Sequence, residues 1–110
     1  MKSLLFILFL FSNSLNPVLS QSNLLESAKK NPGEAKNICN KFRELNSKGV
    51  SASENEARNL CNKFREFNSK GITASSDKAI DYVSNKKKLT PVNAEIFSIY
   101  VIGLHCPDII

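Results

Sequence analysis

The sequence predicts an all-α protein, a small bundle of four to five short helices. Three observations carry that expectation. Apolar residues recur at three- and four-residue steps along most of the chain, the spacing of one helix face. Asn, Ser, Thr, Pro and Gly stand where helices should start and stop. Strand signals are confined to the β-branched stretch Ile99 to Ile102. One word is also said twice: Asn37-Ile38-Cys39-Asn40-Lys41-Phe42-Arg43-Glu44 returns as Asn59-Leu60-Cys61-Asn62-Lys63-Phe64-Arg65-Glu66. Each copy runs on through Asn-Ser-Lys to Gly49 or Gly71, so the two segments should form matching helices.

The N-terminus is set apart first. Lys2 precedes an unbroken apolar run from Leu4 to Phe11, and a polar stretch then ends at Val18-Leu19-Ser20. That layout is expected of a cleavable secretory signal over residues 1–20, and the run is too short to span a membrane, which takes about 20 apolar residues. Residues 21–110 are then one small domain, secreted or periplasmic, with a duplicated segment over 37–58 and 59–80 and no stable membrane span. Two copies are too few for a stacked solenoid, which needs at least about three. The net charge of +5 on 110 residues is mild, and basic and acidic side chains alternate, as in Lys41 with Glu44. Such a balance suits solubility and weak attraction to anionic surfaces, and no nucleic-acid partner is expected.

The first helix should begin at Asn23, with Glu26 three residues on as in a capping box, and Leu24, Leu25 and Ala28 as its apolar side. Asn31-Pro32-Gly33 stops it. The next helix carries Ala35, Ile38, Cys39, Phe42 and Leu45 on one stripe and closes at Gly49, where a left-handed cap suits glycine. Ser53 with Glu56 caps the third, which carries Ala57, Leu60, Cys61, Phe64 and Phe67 in the same register and closes at Gly71. Both cysteines are therefore expected to point inward, on helices expected to be antiparallel neighbours. A shorter helix from Ser75 or Ser76 should bury Ala79, Ile80 and Val83 and end in Lys86, Lys87 and Lys88, where cations suit the helix dipole. Thr90-Pro91 starts the last helix, with a hydroxyl cap and proline at its first position. Ala94, Phe97, Val101 and Leu104 form its stripe, with Ile96 and Tyr100 beside it. It is the most apolar helix and should be the most buried.

Cys106 is the third cysteine. Three cysteines leave one thiol unpaired or joined to another molecule. A Cys61–Cys106 bridge would close a loop of about 45 residues, worth roughly 4 kcal/mol on the chain-entropy model. Cys39–Cys106 closes a longer loop and is favoured by only a few tenths of a kcal/mol more. The residues alone leave both open, with Cys39–Cys61 as a third choice.

The run Phe42, Leu45, Gly49, then Ala57, Cys61, Gly71, then Leu89-Thr90-Pro91, Ala94 and Cys106-Pro107 resembles the domain of unknown function 732, a family of small exported bacterial proteins. The likeness spans roughly Ile38 to Pro107. It implies a helical fold closed by a Cys61–Cys106 disulfide, with Cys39 as the possible free thiol. Cys39 stands where that family has an ordinary helix residue, and His105 where an aromatic residue is usual. The family has no established activity.

No catalytic, cofactor-binding or metal residues are assigned, and the protein is not expected to be an enzyme. An imidazole activates a neighbouring thiol, but adjacent helix residues point about 100° apart, so His105 could serve Cys39 more readily than Cys106. A zinc site from Cys39, Cys61, Cys106 and His105 lacks the close cysteine pairs of structural zinc sites. A single His105, or Tyr100, is no specific signature of haem. No phosphate loop, metalloprotease helix or nucleophile elbow occurs. The Lys-Phe-Arg-Glu words read as core phenylalanines flanked by lysine and arginine stems. The expected function is a non-catalytic binding or interaction module of the periplasm or cell envelope, monomeric or a Cys39-linked dimer. Its partner would be a protein, an envelope component or a small molecule. The alternative is a cationic, membrane-active secreted effector, which would need an amphipathic helix left open to solvent; a thiol, metal or haem protein comes after both.

Overall fold

The computed structural model describes residues 22–110, so the secretory-signal reading lies outside the described residues. Five helices follow in order: α1 (Leu24–Lys30), α2 (Pro32–Ser47), α3 (Glu54–Ser69), α4 (Asp77–Lys87) and α5 (Pro91–His105). Among the described residues there is no strand, and Ile99 to Ile102 lie within α5. The Thr90 hydroxyl accepts the Asn93 N–H at 3.2 Å with Pro91 at the first helical position, which commits that β-branched stretch to helix.

The local signals mostly act as read. Ser53 accepts from Glu56 N–H at 3.1 Å and Ser76 from Ala79 N–H at 3.3 Å. The reciprocal half of the Ser53 box is not made, because the Glu56 carboxylate turns to Lys87 of α4. Asn23 does not cap α1; the first amide, of Leu24, is received by the Ser22 hydroxyl at 3.0 Å. Asn31 does more than stop α1. Its side chain accepts from Gly33 and Glu34 N–H, so the same residue opens α2. Gly49 and Gly71 follow α2 and α3 with φ of +97° and +79°, a backbone region that side chains resist.

The helices converge on α5, which packs against α2, α3 and α4, while α1 lies on α2. Seven residues of α5 are buried, from Ala94 through Ile102, so the last helix is the core of the bundle. The apolar stripe ends before the helix does: Leu104, placed on the stripe by spacing, is 61% exposed. The expectation that α2 and α3 are paired neighbours is also corrected. α3 packs on α5, and α2 is shared between α5 and α1, since α5 is apolar over most of its circumference and can bury a stripe on several sides at once.

Cys61 and Cys106 are joined by a disulfide with 6.1 Å between Cα atoms, tying the middle of α3 to the end of α5. Beyond Cys106 the chain stays ordered against the body. Ile109 is buried, Ala74 N–H donates to the Ile110 carbonyl at 2.9 Å, and the Asn68 amide grips both the N–H and the carbonyl of Ile110.

Candidate functional site

The two copies of the repeated word give two helices of 16 residues with the same register, yet they are not buried alike. On α3 the stripe Ala57, Leu60, Cys61, Phe64 and Phe67 is sealed. On α2 only the matching Ile38, Phe42 and Leu45 are buried. Ala35 and Cys39, the counterparts of Ala57 and Cys61, lie on an edge that no other element covers. Cys39 is therefore an exposed free thiol, against the expectation that it points inward. Cys39 keeps the helical register of Cys61, but spacing does not say what an edge faces.

That open edge is one wall of a groove of about 270 Å³. Ala35, Ile38 and Cys39 line it from α2, Leu25 and Ala28 from α1, and Ile99, Ile102 and Leu104 from α5. Gly103 contributes a gap, since a β-carbon there would meet nothing within 4 Å. Lys29 is the charged residue of the lining. Its ammonium donates to the Ile109 carbonyl, which holds it beside the groove; its two other N–H donors have no partner among the described residues. Next to the groove, Tyr100 stacks on Phe42 with ring centroids 3.7 Å apart.

A second hollow, of about 230 Å³, lies between α3 and α4 over Phe97. It is already spanned by its own charges. Lys87 pairs with Glu56 and its ammonium stands 5.0 Å from the centre of the Phe97 ring. Lys63 sits 5.1 and 5.2 Å from the Phe67 and Tyr82 ring centres and pairs with Glu66. The contacts of Lys63, and Lys70 beyond it, hold the Glu66 carboxyl below the usual carboxylate range.

The residues weighed for thiol, metal or haem chemistry are not brought together. Cys61 and Cys106 are bonded to each other. His105 is exposed beside Arg58 and Arg65, in a shallow hollow that does not include Cys39. Tyr100 gives its ring to Phe42. Among the described residues, no three His, Cys, Asp or Glu side chains are placed to hold a metal ion, and no helix is long and apolar enough to cross a membrane. Two groove residues, Lys29 and Gly103, escaped the sequence reading. Lysine near a helix end and glycine in an apolar run carry no specific signal until three helices meet around them.

Fold and site together define a small disulfide-closed helical bundle that offers an open apolar groove. The chain belongs to the family described as Domain of unknown function (DUF8664), whose model matches residues 25–57 and 52–106. The second match contains α3, α4, α5 and both bonded cysteines; the first contains α2 and all of α1 but Leu24. A family of unknown function is what the resemblance implied, under a different number from 732. Neither a curated protein nor a solved structure matches the chain significantly.

Proposed function

We propose that this is a non-catalytic binding module of the periplasm or cell envelope, and that the groove between α1, α2 and α5 takes a small amphipathic anion: a short acyl chain ending in a carboxylate. The single observation that carries the reading is the groove itself, apolar along its length with Lys29 at its side. No acidic side chain lines it, so the electrostatics favour an anionic head. Its volume of about 270 Å³ falls just below the range of most ligand sites, about 300–1,000 Å³, and suits a slender chain rather than a broad planar cofactor. Export is supported by the signal-like N-terminus, by the likeness to the domain of unknown function 732, and by a disulfide, which persists best outside the cytoplasm. The membrane-active alternative has less behind it, because the apolar stripes of α3, α4 and most of α5 are spent in one core.

Cys39 lines the groove and reports its occupancy. Dodecanoate should slow alkylation of Cys39 by iodoacetamide several-fold in the oxidised protein. Dodecylamine should protect less, because Lys29 repels its head. Ala35→Leu, which fills the groove, should abolish protection while leaving thermal stability within a few degrees. Unchanged alkylation at every soluble dodecanoate concentration would rule the ligand class out, and leakage from anionic vesicles at micromolar protein would favour the effector.

A further inference from the structure

The groove takes part of its lining from the chain beyond α5. Cys106 is held by the disulfide, and the next residue, Pro107, lines the groove. The Ile109 N–H donates back to the Cys106 carbonyl at 3.1 Å, which closes a tight turn over residues 106–109. Ile109 is buried, and its carbonyl receives the Lys29 ammonium. Ile110 is held by a different part of the fold. Asn68, near the end of α3, accepts its N–H at 3.0 Å and donates to its carbonyl at 2.8 Å. The Ala74 N–H donates to the same carbonyl at 2.9 Å.

The tail therefore connects α1 to the end of α3, two elements with no substantial packing between them. α1 is the lightest wall of the groove: it has seven residues, of which Leu25 alone is buried. A lysine on so short a helix would otherwise sample many rotamers, and ordering it at the moment of binding costs affinity. The Ile109 carbonyl has ordered it beforehand. None of the ion pairs among the described residues includes Lys29, so its charge is not spent on a carboxylate of the bundle.

We infer that residues 107–110 are a strap coupled to the groove: docked on Asn68 and Ala74, the strap presents the Ile109 carbonyl that positions Lys29 for the head of an anionic ligand, and a bound ligand in turn holds the strap down. The inference rests on the acyl-carboxylate reading of the groove and adds its control. Asn68 does not line the groove, yet it becomes a positioning residue for ligand affinity. Linkage makes the effect reciprocal. Whatever factor strap docking adds to ligand affinity, the ligand adds to strap docking.

Amide exchange in the oxidised protein tests this without any variant. Dodecanoate, at a concentration that protects Cys39 from alkylation, should slow exchange at Ile110 and Ala74 about fivefold or more. The Val50 amide, bonded to the Leu45 carbonyl within the loop after α2, should exchange as before. Equal slowing at Val50 would mean a general tightening. Unchanged tail amides beside a protected Cys39 would mean an uncoupled tail. Either result overturns the inference.

The converse measurement starts from the strap. Asn68→Ala should raise the dodecanoate concentration that half-protects Cys39 about fivefold. Decanol carries a chain without the charge, so its half-protecting concentration should stay the same. A loss of equal size for both ligands would mean a loosened groove rather than a mispositioned lysine, and would count against the strap. The two readings fail separately. If dodecanoate does not protect Cys39 in the parent protein, the groove reading falls and takes this inference with it; protection without any response of the tail sinks the strap alone.

Discussion

The two repeat helices are nearly the same peptide placed in two environments. α2 and α3 share length, stripe and terminal glycine, yet α3 buries five residues and α2 three. The polar side chains diverge in the same direction. Lys63 lies over the Phe67 and Tyr82 rings and Arg65 reaches Asp108 at 3.5 Å, whereas among the described residues Lys41 stays exposed and Arg43 bonds only to Asn40 of its own helix. Asn46 donates to the Val50 carbonyl; Asn68 makes the matching bond to Ile72 and two more to Ile110. The differences trace to what lies against α3 and not against α2: Tyr82 of α4, the end of α5 with its tail, and the disulfide. A duplicated segment thus supplies one helix as structure and frees its twin to form a groove.

The largest test of that contrast is at the cysteines. Replacing Cys61 and Cys106 together by serine should cost about 4 kcal/mol, the loop-closure value for a separation of 45 residues. Cys39→Ser should change stability by less than about 0.5 kcal/mol, as exposed sites do. Denaturant unfolding of the two variants measures both, and similar losses would erase the distinction between the helices.

Next in size is the alanine pair. Ala57 is fully buried, so Ala57→Leu should overpack the core and cost about 1–3 kcal/mol. The same change at Ala35 has open groove before it and should be near neutral, as its thermal melt will show. The smallest expected difference is at the asparagines. Asn68→Ala removes three hydrogen bonds and should cost about 1–2 kcal/mol, against about 0.5 kcal/mol for Asn46→Ala. Amide exchange at Ala74 and Ile110 should quicken in Asn68→Ala alone, since that variant frees the tail.

Much of the fold was legible because it is local. Ser53, Ser76, Thr90 and Pro91 act within one turn of their own positions, and the three- and four-residue spacing states which side of each helix is apolar. Where local reading failed, a distant group had intervened. Glu56 left its box for Lys87, 31 residues away, and Leu104 fell beyond the reach of any covering helix. The site was less legible still. Ala35 and Cys39 match Ala57 and Cys61 step for step, and nothing in their own turns says that one pair would be covered.

By itself the sequence determined the all-α class, the helix ends, the apolar faces and the kinship of α2 with α3, because caps, glycine turns and helical periodicity are properties of neighbouring residues. The likeness to a known pattern, not spacing, singled out Cys61 and Cys106 as the bonded pair. Tertiary structure alone decided which copy of the word is sealed, that α5 stands between the two, and that a thiol, a lysine and a glycine share one groove. Burial depends on what approaches a face from elsewhere in the chain, and identical faces carry no record of that.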